Sequence, residues 1–206
     1  AGFTDTVICA SGDLDEYSIN SLKNQDAAIN SWGVGTKLIT SADMPALGGV
    51  YKLAAVFDDG KIIPKIKISE NVEKITNPGF KNIYRVYDKE TGKAEADFIY
   101  LRDEAPYDTA KPLVLTHPTE RWKQITFENY ELRPLQVDVI KNGKLVYKLP
   151  SLKEIKTYCK KELESFWDEY KRLDKPHVYK VDLSDKLYKL KTSMLDELRS
   201  AEVEVR

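Results

Sequence analysis

Apolar and polar positions fall into three zones along the chain. In the first, Thr6–Ala10 is a continuous apolar run of strand length, the kind buried on both faces in a parallel sheet or α/β barrel, with the polar cluster Ser11-Gly12-Asp13 at its carboxyl end. From Asp15 to Ile29 the apolar residues Tyr17, Ile19, Leu22, Ala27, Ala28 and Ile29 recur at roughly helical spacing, which predicts a moderately amphipathic helix. Ser31-Trp32 and a Gly-x-Gly turn follow. The predicted order is strand, helix, strand, with a polar or glycine-containing turn after each strand, as in βα units whose ligands gather at the carboxyl ends of strands.

The second zone, from Gly48 to Tyr147, is a succession of β-like segments that predicts a mostly antiparallel sheet. Gly49–Asp58 is expected to pair with Lys61–Ser69 across Asp59-Gly60, because glycine tolerates the positive φ of a tight turn. Asn82–Tyr87 and Ala94–Leu101 predict a second hairpin around Glu90-Thr91-Gly92, and Leu135–Ile140 and Lys144–Leu149 a third around Asn142-Gly143. Pro106, Pro112 and Pro118 punctuate the stretch between them. In the third zone Ser151 and Glu154 have capping-box spacing, which opens a helix expected to run to about Leu173, before Lys175-Pro176. Ser184 is the predicted cap of a final helix bearing Leu187, Leu190, Met194 and Leu198 on one face. The expected organisation is residues 1–40 as βα units, 41–150 as a β-rich region and 151–206 as a helical tail.

Composition narrows the function classes. A chain of 206 residues with 42% hydrophobic content can bury a core. Thirty-two basic against 33 acidic side chains leave a net charge of −1, so no global field draws it to nucleic acid or an anionic membrane, and binding must be local. Cys9 and Cys159 lack the spacing of a disulfide framework or zinc knuckle, which fits a reducing cytoplasm. The apolar runs are far shorter than the roughly 20 residues that span a bilayer. The opening Ala-Gly-Phe-Thr-Asp has neither an initiator methionine nor a secretory signal and has the punctuation of a helix end entering a strand, so a helix is expected upstream.

Two turns are candidates for chemistry. Gly33, Val34, Gly35 and Thr36 close the second predicted strand, where backbone N–H groups can turn toward an anion unobstructed by side chains; the competing reading is an ordinary turn. Gly12 and Asp13 offer a close-approach glycine and a carboxylate suited to ribose hydroxyls or a magnesium-bound pyrophosphate. Here the alternative is a turn in which Asp13, Asp15 and Glu16 favour the start of the following helix. Lys37 reads as a solvated charge. His117, before Pro118, and His177, after Pro176, read as structural or solvent-facing.

Taken together, Cys9–Glu16 (CASGDLDE), Trp32–Leu38 (WGVGTKL) and Pro45–Leu53 (PALGGVYKL) resemble nicotinate phosphoribosyltransferases in order and spacing. Pro64–Ser69, Lys74–Gly79, Arg133–Leu135 and Leu149–Leu152 extend the resemblance over nearly the whole chain. It implies an α/β fold: the end of a type II phosphoribosyltransferase barrel followed by a β-rich region and a two-helix tail. The implied enzyme joins nicotinate to phosphoribosyl pyrophosphate, giving nicotinate mononucleotide and pyrophosphate in NAD biosynthesis. Magnesium (Mg2+) and ATP, hydrolysed through a transient phosphohistidine, are its implied cofactors, and a homodimer its implied assembly. By the same resemblance Gly33–Thr36 would hold the ribose 5′-phosphate, with Gly12 and Asp13 near the ribose and pyrophosphate. The family's phosphorylated histidine, its Asp-Ser-Gly-Asp stretch and its pyridine-binding arginine have no counterpart in this chain, so it is expected to be inactive alone. The alternative from another class is a non-catalytic nucleotide- or partner-binding module.

Overall fold

In the computed structural model, which describes residues 2–204, local capping chemistry starts the first helix where the sequence predicts it. The Asp15 side chain accepts from the Ser18 backbone N–H at 2.8 Å and the Ser18 hydroxyl accepts from the Asp15 N–H at 2.9 Å, a reciprocal cap for α1 (Glu16–Asn24). Before it runs β1 (Cys9–Ser11) and after it β2 (Ser31–Gly33), then a single turn of helix, α2 (Thr36–Ile39). β1 and β2 pair in parallel, with Cys9 opposite Ser31 and Ser11 opposite Gly33. These elements belong to one compact unit, the residues up to Tyr51 with Leu173–Lys175. None of its described residues is fully buried, so the predicted burial of the first strand on both faces is not met: Val7 and Ile8 are exposed.

The second unit holds Lys52–Arg172 and the chain from Pro176 onward. Its strands are β3 (Ala55–Asp58), β4 (Lys61–Pro64), β5 (Lys81–Asp88), β6 (Ala94–Leu101), β7 (Leu113–Thr116), β8 (Gln124–Phe127), β9 (Tyr130–Pro134), β10 (Ile140–Lys141) and β11 (Lys144–Leu145). Helix α3 (Leu152–Ser165), strand β12 (Val181–Ser184) and helix α4 (Asp185–Glu204) complete it. All three predicted hairpins form around their glycine turns. The first and third are shorter than the pattern implied; beyond their ladders they close with backbone bonds from Lys65 N–H to Ala54 O at 2.8 Å and from Val146 N–H to Val139 O at 2.9 Å.

Six strands form one sheet in the order β8-β7-β12-β6-β5-β9. Every pairing is antiparallel except β12 with β6. Alternation along β6 divides the core in two. Phe98 and Tyr100 join Val86, Leu113, Leu115 and Tyr130 in one cluster, while Leu101 packs with Leu183 of β12 and Leu187 of α4 in the other, with Ile99 beside them. Ser184 caps α4 as predicted, its hydroxyl accepting from the Leu187 N–H at 3.2 Å. The fold is mixed α/β.

Candidate functional site

The parallel register of β1 and β2 decides where the two candidate turns lie. With Ser11 opposite Gly33, the strands end at the same level, so Gly12-Asp13 and Gly33–Thr36 leave adjacent strand ends on one rim. The structure brings together all six residues singled out from sequence.

Each turn has a backbone reason for its residues. Gly12 sits at φ 102° and Asp13 at φ 47°, so the chain reverses through two left-handed residues, the first in a region that glycine alone enters without strain. At Gly33 the constraint is proximity: a Cβ there would stand 3.1 Å from Ser11 Oγ and 3.3 Å from Ser11 Cβ. Glycine is what lets the two turns approach. Among the described residues the N–H groups of Val34 and Gly35 have neither a backbone nor a side-chain acceptor, which leaves a short run of donors at an exposed edge.

The charges on this rim are mostly spoken for. Lys37 Nζ lies 2.6 Å from Asp15 Oδ2, so Lys37 ties the start of α2 to the cap of α1 and is not the free solvated charge its sequence context predicted. The Lys37 ammonium, with the Ser18 hydrogen bonds, holds the Asp15 carboxyl well below the usual carboxylate range, and Asp15 in turn raises Lys37. Asp13 has no such partner among the described residues and is exposed. The rim therefore presents one available carboxylate beside main-chain donors. Sequence reasoning missed the Asp15–Lys37 pair because 22 residues separate the partners and no local pattern links them.

Among the described residues no three His, Cys, Asp or Glu side chains gather as a metal-binding group. An octahedral magnesium ion commonly takes one or two carboxylates and completes its shell with water and substrate phosphates. Asp13 is suited to such a partial role, whereas Asp15 is committed to Lys37. The histidines belong to the second unit. His117 Nδ1 accepts from the Glu120 N–H at 3.2 Å and closes a local turn, and the His177 N–H donates to Glu169 O at 3.0 Å. Cys9 and Cys159 are free and exposed, and no described helix is long and apolar enough to cross a membrane.

Comparison with known proteins agrees over nearly the whole chain. Residues 80–191 match the family described as nicotinate phosphoribosyltransferase C-terminal domain. The chain is 44% identical over 200 residues to the nicotinate phosphoribosyltransferase of Bacillus subtilis, covering 97% of this chain and 41% of that protein. It is 37% identical to the Caenorhabditis elegans nicotinate phosphoribosyltransferase, covering 90% of this chain and 32% of the relative. The crystal structure of human nicotinic acid phosphoribosyltransferase superposes with a TM-score of 0.69 at 27% identity, covering 92% of this chain and 33% of that one. The chain thus spans 41% or less of the length of these relatives.

Proposed function

Because this chain belongs to the nicotinate phosphoribosyltransferase C-terminal domain family, we propose that it is the carboxy-terminal portion of an enzyme that joins nicotinate to phosphoribosyl pyrophosphate. The products are nicotinate mononucleotide and pyrophosphate, for NAD biosynthesis. In this reading residues 1–40 are the terminal βα units of a type II phosphoribosyltransferase barrel and residues 41–150 a β-rich region, while residues 151–206, expected as a helical tail, carry α3 and α4 and also return β12 to the sheet between β6 and β7. Two free cysteines fit a cytoplasmic location. The whole enzyme works as a homodimer.

The observation that carries the reading is the pairing of Ser11 with Gly33, which sets the two turns side by side at the ends of parallel strands. The N–H groups from Gly33 to Thr36 hold the 5′-phosphate, and Gly12 and Asp13 stand at the ribose and pyrophosphate. Lys37 acts as a positioning residue: its charge is already met by Asp15, so phosphate affinity rests on main-chain donors. As pyrophosphate leaves, an oxocarbenium-like centre forms, and fixed donors that hold the flanking anions spare the reorganisation that water would require. Asp13 would supply a carboxylate oxygen to a magnesium ion, which would offset negative charge on the departing pyrophosphate. ATP coupling uses groups other than those of this rim, and this chain alone does not turn over.

Titration of the 206-residue chain with nicotinate mononucleotide and magnesium tests the proposal. Weak, phosphate-dependent binding is expected, falling about tenfold or more in Gly33→Trp and several-fold in Asp13→Ala. Binding untouched by both substitutions would transfer the ligand to another surface and favour a partner-binding module. Synthesis of the mononucleotide by this chain alone would overturn the division of the active site.

A further inference from the structure

Within the second unit, a cavity of about 320 Å³ lies between α4 and the sheet face that carries Ile99, Val181 and Leu183. Its wall is apolar on the sheet side. At its other side stands Lys191, on α4, which is only 6% exposed. A lysine this deep is almost always paired with a carboxylate. Among the described residues Lys191 has none within 4.0 Å, and its ammonium makes a single long contact, 3.4 Å to the Pro118 carbonyl oxygen.

The surroundings do not supply the missing charge by other means. Burial alone lowers the Lys191 pKa, with no charged neighbour acting on it. Asp182 is buried but alternates to the opposite side of β12 from Val181 and Leu183, and the charges that act on it are those of His117 and Lys180. Glu73 stands at the mouth, exposed and without an ion pair to Lys191. Polar residues border the cavity as well. Asn77 also lines the cavity, and its Oδ1 is buried without a hydrogen-bond partner, as is the neighbouring Thr76 Oγ1. Both orphan atoms are oxygens closed off from solvent, so the group that lines the cavity without a counter-charge is Lys191.

We propose that this cavity is a binding site for a small organic carboxylate, separate from the phosphate rim. The carboxylate meets the Lys191 ammonium, a charge-assisted contact. The apolar body of the ligand rests on Ile99, Val181 and Leu183. Inorganic phosphate fits less well, because it leaves that wall and most of the volume unused.

The test is a titration of the 206-residue chain with benzoate, acetate and inorganic phosphate, following the ε-carbon and ε-nitrogen signals of Lys191 by heteronuclear NMR. Benzoate should move them saturably and more tightly than the other two. Lys191→Met, which keeps an unbranched side chain as far as Cε and removes the ammonium, should weaken benzoate about tenfold or more while leaving cooperative unfolding intact. Lys189→Met, an exposed control on the same helix, should bind as the parent does. Absence of a saturable shift, unchanged affinity in Lys191→Met, or phosphate binding as tightly as benzoate would each overturn the proposal. The Lys191 signals of the unsubstituted chain give an answer even if the methionine variant does not fold.

Discussion

Gly79 shows how much a single position can hold. Its N–H donates to Ala54 O at 2.8 Å, its carbonyl accepts from Lys81 Nζ at 2.6 Å, and its φ of +87° lies where side chains are strained. A Cβ would come within 2.5 Å of Leu101 Cδ2, in the buried cluster below α4. Gly60, at φ +73°, meets nothing within 4 Å. Gly79→Ala is therefore expected to destabilise by about 2–3 kcal/mol against about 1 kcal/mol for Gly60→Ala, read from urea midpoints. Equal losses would show that Leu101 yields without cost. Of this contrast, the sequence makes the turn at Asp59-Gly60 legible, whereas the approach of Leu101 to Gly79 depends on a fold contact that no local pattern encodes. The same holds at Asp15, whose capping role can be read from its position while its partner Lys37 cannot.

Helix α3 marks the boundary of what periodicity can tell at the level of elements. The helix expected to run to about Leu173 would include Phe166, Trp167 and Tyr170, yet it stops at Ser165. The reason is tertiary: Phe166 leaves the helix to lie 4.8 Å from the Arg85 guanidinium and 5.0 Å from the Tyr179 ring, and Trp167 Nε1 donates to Glu95 at 2.8 Å. β12 escapes prediction for a similar reason, since four residues between two helical patterns become a strand only through β6 and β7 on either side. α3 buries no residue completely, so its attachment relies on Glu162, which accepts from Arg133 at 2.7 and 2.5 Å and from Arg85 at 3.2 Å. Hydrogen bonds from Arg133 hold the Glu162 carboxyl below its ordinary value of 4.5. A depressed carboxylate stabilises the fold at pH values above its unfolded pKa, and that contribution is lost as pH falls through the folded value. Glu162→Gln should therefore cost about 1–3 kcal/mol at neutral pH, with the difference from the parent shrinking as pH falls below 4.5. Thermal unfolding across that range checks the sign, and a pH-independent difference would point to packing in place of charge.

At the scale of the whole molecule, the order of elements is legible and the sheet order is not. Hairpin turns announce themselves through Asp-Gly and Asn-Gly, and the strand–helix–strand start through its blocks of polarity; the threading of β12 between β6 and β7 is set by which apolar faces fit together. The candidate rim was readable because its two turns follow strands directly, so one parallel pairing was enough to join them. What the pattern could not show is how little the first unit covers its own apolar residues. Leu47 is 88% exposed and Val50 81%, and Phe3, Val7, Leu38 and Ile39 are exposed as well. Scattered apolar residues are ordinary on a surface, but this many within about fifty positions exceed what a solitary soluble surface usually carries. The chain is thus expected to self-associate, with a sedimentation coefficient that rises with concentration. Leu47→Lys combined with Val50→Lys should reduce that rise, because each new charge would have to be desolvated in any apolar contact. A sedimentation coefficient independent of concentration in the unsubstituted chain would mean that these side chains are tolerated in water.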